Sequence, residues 1–234
     1  MISSPFFLTA LIAAIQPAAA PTASPGPLRE IGHVRATVCG SVVVHANSAI
    51  SSAISNDRAL ANTIFHLRNA NFEGNPLERQ QGVNALSLLA AQLGEDAAHG
   101  DSEVKRLRAM ASHTTDPTRK AQLETFTDAL GGALHRQQNV ARDLNGFLAY
   151  LDYRDMHDQS EQQSAMNAAT SPNAEVGQNG RALPLNALTL RDSKRESPNA
   201  MAQEAAVDFQ GRIAEIAADE TKAADHAEGA VSGC

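Results

Sequence analysis

Residues 116–157 read DPTRKAQLETFTDALGGALHRQQNVARDLNGFLAYLDYRDMH, and a heptad repeat of apolar side chains runs through them. One series, seven residues apart, consists of Leu123, Leu130, Gln137, Leu144 and Leu151, and a second consists of Phe126, Ala133, Val140 and Phe147. Because residues three and four apart lie on one helix face, the repeat predicts a single helix of roughly 40 residues. About three apolar positions per heptad is typical of a helix in a bundle. Asp116-Pro117 is a typical helix start.

Three further segments carry the same three–four spacing of apolar residues and are predicted as helices. They run from about 28 to 67, from 76 to 112 and from 197 to about 226. Short loops between long helices make the helices antiparallel neighbours. The sequence therefore predicts an all-α fold, an elongated antiparallel helical bundle of about four main helices, with the last helix joined by a long polar linker.

Two of these helical segments contain residues that disfavour a continuous helix. In the first, the apolar register fails at Ser55-Asn56-Asp57. Two alternatives follow, a second helix capped by this trio or one kinked helix. In the second, the register continues through Gly94 and Gly100, which favours one helix although each glycine costs about 1 kcal/mol.

The predicted domain organisation has four parts. Residues 1–24 are a signal peptide and the start of a Pro/Ala-rich spacer, and residues 25–157 are the core of the bundle. Residues 158–196, rich in Gln, Asn and Ser, are a flexible polar linker. Residues 197–234 are a C-terminal helix and tail that pack on the bundle.

The N-terminal segment predicts export to the periplasm or the extracellular space. Pro5 to Ile15 form an apolar run too short to span a bilayer, and small residues follow at Ala18-Ala19-Ala20. No Lys or Arg precedes the run, and Pro21 disfavours cleavage directly after Ala20, so cleavage around Thr22 to Ser24 is an alternative. No later apolar stretch is long enough for a membrane helix, and the mature protein is expected to be soluble.

The two cysteines, Cys39 and Cys234, are predicted to form a disulfide. In an exported protein two cysteines at opposite ends of a chain tend to bond. An up-down-up-down bundle returns the end of its last helix to the level where the first begins, within reach of the C-terminal tail. Two free thiols are the alternative.

Four residues have the spacing of metal ligands. Glu30 and His33 form a Glu-x-x-His pair, which places both ligands on one helix face in di-iron four-helix proteins, and Asp96 and His99 repeat the spacing with Asp. Such a site also needs acidic residues that project inward from other helices, and the main apolar stripe has none. The sequence therefore favours solvated surface histidines, and a metal site at these four residues is the alternative.

Gln137 is the one polar residue in the main apolar stripe. A lone polar side chain at a core position often fixes helix register or oligomeric state at some cost in stability. We therefore expect Gln137→Leu to stabilise the fold by about 1–2 kcal/mol if the site is buried and purely structural. A partly exposed position or a ligand contact are the alternatives. His45, on the apolar side of the first segment, is predicted to be a hydrogen-bonded packing residue.

Composition and motifs give little positive evidence of function. The net charge of −7 is spread along the chain without a basic run, so nucleic acid and anionic membranes are poor candidate partners. Gly100-Asp101-Ser102 resembles the nucleophile signature of one hydrolase class, but helical patterns on both sides favour a capping role. We predict a non-enzymatic binding or structural protein, without a cofactor, whose partner is another protein or a second copy. A ferritin-like metal-binding bundle with a redox or storage role is the alternative.

Overall fold

A computed structural model of the protein describes residues 27–31, 40–170 and 197–231, without the side chains of 165 and 167–170. Four helices account for most of them, and the described residues contain no strand. The helices are α1 (Gly40–Asn69), α2 (Pro76–Ser112), α3 (Pro117–Thr170) and α4 (Pro198–Val231). The predicted all-α bundle is confirmed.

Side-chain caps and prolines begin two of the helices where the sequence predicts them. The Asn75 side chain accepts hydrogen bonds from the backbone N–H groups of Leu77 and Glu78, and Pro76 opens α2. Asp116 accepts from the N–H of Thr118 at 2.9 Å, ahead of α3. These oxygens satisfy N–H groups that have no partner within the first turn of a helix.

The four helices are antiparallel in sequence order, and each packs on the next. α1 also contacts α4 and, across the bundle, α3, whereas no contact between α2 and α4 is recorded among the described residues. The core divides into two apolar clusters. One contains the start of α1, the end of α2, the start of α3 and the end of α4, and the other contains the opposite halves. Every residue of the two predicted heptad series in α3 is buried.

The observed helix bounds decide between one pair of alternatives and correct three predictions. α1 runs from Gly40 to Asn69 as one helix, so the alternative of a second helix capped at Ser55-Asn56-Asp57 is excluded. Residues 28–31 are not helical, so the first helix does not begin near Leu28. α3 continues past the predicted end at His157 to Thr170, so the first part of the predicted linker is helix. α4 passes His226 and ends at Val231.

α2 is one helix through both of its internal glycines, as predicted. A Cβ atom at Gly100 would lie 2.7 Å from Leu134 Cδ2 and 3.1 Å from Ser52 Cβ, whereas at Gly94 it would meet nothing within 4 Å. Gly100 therefore permits the close approach of α2 to α1 and α3. Because Asp101 and Ser102 lie inside α2, the predicted capping role is wrong, and Asp101 instead pairs with Lys105 one turn later.

The short segment 27–31 packs against the bundle ahead of α1. Leu28 is buried in the core. The Asn47 side chain accepts a hydrogen bond from the backbone N–H of Ile31 at 2.7 Å and donates to its carbonyl at 3.0 Å. Across the described parts of the chain, no helix is both long and apolar enough to cross a membrane.

Candidate functional site

A layer of polar side chains lies inside the bundle and joins three helices. Gln137 on α3 is fully buried, and its Nε2 lies 3.2 Å from the carbonyl oxygen of Ala53, 3.0 Å from Asp57 Oδ1 and 3.4 Å from Glu220 Oε1. Its Oε1 accepts a hydrogen bond from Asn56 Nδ2 at 3.1 Å. We call Asn56, Asp57, Gln137 and Glu220 the polar layer.

The polar layer contains two neighbouring carboxyl groups, those of Asp57 and Glu220, whose pKa values are both raised. Burial, followed by the negative charge of Asp57, raises the pKa of Glu220 to about 9. Burial also raises the pKa of Asp57, although hydrogen bonds from Glu220 and Gln137 oppose that shift. Near neutral pH the proton therefore resides on Glu220, which donates to the Asp57 carboxylate.

Of this layer, the sequence singles out only Gln137. Asn56 and Asp57 fit a helix cap, which is one of the two alternatives for the first helical segment, and Glu220 does not stand out from its charged neighbours. The spacing nevertheless indicates that Asn56 is buried, because it lies on the same helix face as Ala53 and Leu60, which are both buried. Glu220 occupies the equivalent position on α4, between two buried apolar residues, Ile216 and Ala223.

A second polar cluster lies on the α1–α2 seam. Glu103 on α2 is 4% exposed and bonds His45 Nδ1 on α1 through Oε2. Its other oxygen accepts from Arg106 Nη1 at 2.8 Å. His45 is a half-buried, hydrogen-bonded packing residue, as the sequence predicts. The carboxylate of Glu103 thus links two helices.

The residues predicted as metal ligands do not converge. Asp96 accepts from Ser55 Oγ at 2.6 Å, and His99 Nε2 lies 3.0 Å from Ser48 Oγ, so both join α2 to α1. Glu30 is exposed on the non-helical segment, where the one-face argument does not apply. Glu30, Asp96 and His99 do not bring three ligand atoms within 4.8 Å of one another. His33 lies outside the described residues, and the four-residue site stays a prediction.

One group of described residues has the spacing of a metal site. One ligand atom each from His157, Asp158 and Glu161 lies within 4.8 Å of the other two. All three belong to two successive turns of α3, and Glu161 is exposed. His157 and Glu161 already form a 3.4 Å pair, which is common between residues four apart on a helix surface.

Shallow clefts lie at the two ends of the bundle. One is lined by the segment 27–31 and by Ala224, Ala227 and Glu228 of α4. Two others adjoin Leu151 and Asp155 of α3 at the opposite end. The polar layer lies between these ends, where the two core clusters meet.

Cys39 and Cys234 both lie outside the described residues, so their disulfide stays a prediction. Neither a scan of protein-family models nor searches of the curated proteins and of the solved structures finds a match for this chain. Function is therefore inferred from the chain's own side chains.

Proposed function

We propose that the protein is an exported, non-enzymatic helical bundle that binds another protein through the end of α3. The observation that carries this proposal is the length of α3. Its buried stripe ends at Leu151, yet the helix continues to Thr170. Every side chain from Gln159 to Ser164 is exposed.

Large apolar side chains are exposed near the point where α3 leaves the bundle. Tyr153 is 62% exposed and Met156 is 57% exposed. Leu77, at the start of α2 and hence at the same end, is also exposed. Aromatic side chains and methionine are enriched in protein interfaces, so this end suits a protein partner better than a charged ligand.

Ion pairs join α3 to α2 and α4 near this end of the bundle. Arg79 on α2 pairs with Asp155 on α3 at 2.9 Å, and Arg212 on α4 pairs with Asp143 on α3 at 2.5 Å. Exposed pairs of this kind contribute little stability, but they fix the register of the helices that support Tyr153. A preorganised helix loses less entropy on binding.

The fold supports the disulfide between Cys39 and Cys234 as part of this proposal. Val42 and Val43 at the start of α1 share a core cluster with Ala230 and Val231 at the end of α4. The described residues next to the two cysteines in sequence are therefore at the same end of the bundle. Mass spectrometry without reductant should show a chain that lacks the two thiol hydrogens and the predicted signal peptide.

Photo-crosslinking tests the binding surface. Benzoylphenylalanine at Tyr153 should crosslink one partner in cells that export the protein, and Met156→Glu should abolish the product. Benzoylphenylalanine at Val207, which is 64% exposed on α4, is the matched control. A product of twice the chain's mass would identify the partner as a second copy. Equal labelling from both positions, or none from Tyr153, would contradict the proposal.

A ferritin-like metal-binding bundle is the second candidate function. Its basis is the spacing of Asp96 and His99, one turn apart on α2, although each of them bonds a serine of α1 in the structure. Iron bound by the purified protein and lost in a His33→Ala, His99→Ala double variant would support it. A metal-free protein that still crosslinks through Tyr153 would leave the first proposal standing.

A further inference from the structure

Beyond the bundle, the face of α3 that packs on the other helices becomes charged. The buried heptad series that ends at Leu151 continues, seven residues later, with Asp158. The series that ends at Phe147 continues with Arg154 and Glu161. Because charged side chains follow both apolar series, the last part of α3 does not extend the bundle core on this face.

A row of uncharged side chains lies on the other face of this part of α3. Successive members of the row are three, four and three residues apart, and they are Met156, Gln159, Gln163 and Met166. An α-helix turns by about 100° per residue, so this uncharged row lies on the far side of the helix from Arg154 and Glu161. All four side chains are exposed, Met156 by 57% and Met166 by 63%. Large apolar side chains at both ends of an exposed row indicate a surface that another chain covers.

The spacing of the uncharged row is the same in both chain directions. Reversing the helix places Met166 at the position of Met156 and Gln163 at the position of Gln159. Two copies that pair antiparallel about a two-fold axis therefore match methionine with methionine and glutamine with glutamine. The nearest charged residue along the row, Asp152, lies beyond its end, so the two copies of Asp152 would be at opposite ends of the contact.

We propose that the uncharged row binds a second copy of the chain, with the two α3 ends antiparallel. Met156 then faces Met166 of the second copy, and Gln159 faces Gln163 of the second copy. This inference rests on the proposed function, because it names the partner that the end of α3 binds. Methionine adapts its shape to an apolar contact, and each glutamine amide both donates and accepts across the pair, which favours one register.

The contact is short, so the dimer is expected to be weak. The row from Met156 to Met166 covers about 15 Å of helix. Two helices that touch over this length bury less than the roughly 1,200 Å² of a stable complex, and we expect a dissociation constant on the order of 10–100 µM. Tyr153, which flanks the row on the side of the bundle and is 62% exposed, adds apolar area to each end of the pair.

Sedimentation velocity of the full chain between about 1 µM and about 1 mM tests this contact. Wild type should show a reversible equilibrium between monomer and dimer. Met156→Glu should weaken dimerisation by more than about tenfold, because it places a charge against Met166 of the second copy. Adding Met166→Lys should restore dimerisation, since opposite charges then face each other in the antiparallel pair. Leu88→Glu, at a 74% exposed position on α2, is the control and should leave dimerisation unchanged.

Three outcomes would overturn the antiparallel dimer. They are a chain that stays monomeric up to about 1 mM, a dimer that Met156→Glu leaves intact, and a double variant that Met166→Lys does not rescue. The failure of this inference is distinguishable from that of the proposed function. A monomeric chain that crosslinks a different protein through Tyr153 would exclude the second copy as partner and leave the binding surface standing. A monomeric chain without any crosslink would overturn both.

Discussion

Asn56 on α1 donates from Nδ2 to Gln137 Oε1 on α3 at 3.1 Å, and both side chains are fully buried. This bond joins two helices that are not neighbours in the chain, and Gln137 extends the connection to Glu220 on α4. Sliding any of the three helices by one turn would leave these polar groups without partners in an apolar core. The pair therefore specifies one register of the bundle.

Gln137→Leu is the direct test of that role. The sequence alone predicts that Leu stabilises the fold if the site is buried and purely structural, but the structure shows hydrogen-bond partners for both ends of the amide. Because the substitution would remove a hydrogen-bond partner from Asn56, Asp57 and Glu220, we expect the free energy of unfolding to fall by about 2–4 kcal/mol. Urea denaturation measures it. Gln138→Leu, at an exposed position, is the control, and a stabilised Gln137→Leu would refute the register role.

Stability should fall with rising pH because of Glu220. In the unfolded chain Glu220 ionises near pH 4.5, whereas in the folded chain its pKa is about 9. The folded state therefore holds the extra proton between these values, and stability that is fully present below pH 4.5 is lost as pH rises through 9. Between pH 5 and pH 9 we expect the free energy of unfolding to fall in the wild type by on the order of 2–4 kcal/mol more than in Glu220→Gln.

Urea denaturation at pH 5, 7 and 9 checks this linkage. Glu215→Gln removes an exposed carboxylate from the same helix and should retain the wild-type pH dependence. If the free energy of unfolding changed with pH in the same way for wild type and Glu220→Gln, the folded protein would not retain the proton on Glu220.

Gly100→Ala and Gly94→Ala should change stability in opposite directions. Both gain helix propensity of up to about 1 kcal/mol. At Gly100 the new methyl group would overlap the buried Leu134, so we expect a net loss of about 1–2 kcal/mol. At Gly94 the methyl group meets nothing, and stability should rise. Thermal unfolding of the two variants distinguishes these effects, and a stabilised Gly100→Ala would show that the three helices pack less closely.

Glu103→Gln tests the polar cluster on the α1–α2 seam. The amide keeps the shape of Glu103 but loses the charge that binds His45 and Arg106, so we expect a loss of about 1–2 kcal/mol near pH 6. Glu95→Gln, exposed on the same helix, should change stability by less than about 0.5 kcal/mol. Equal effects of the two substitutions would show that the contacts of Glu103 with His45 and Arg106 add no stability beyond that of an exposed carboxylate.

Sequence analysis predicted part of the candidate site. Gln137 was recognisable because it is the one polar residue in a long apolar heptad series. Asn56 was not recognisable as a core residue, because a polar residue beside Ser55 and Asp57 has the composition of a helix cap. Glu220 was overlooked for a similar reason, since the surrounding segment of α4 is rich in charged residues. Local composition does not show which side of a helix meets two others.

The sequence by itself determined the helices, their apolar faces and their antiparallel order. Those features depend on residues three, four and seven apart, and the short loops between the first three helices leave little freedom in how they pack. Only the tertiary structure decided that Asn56, Gln137 and Glu220 meet in one buried layer, because these residues come from three helices distant in the chain. The raised pKa of Glu220 has the same origin, since it arises from burial by neighbouring helices and from the charge of Asp57.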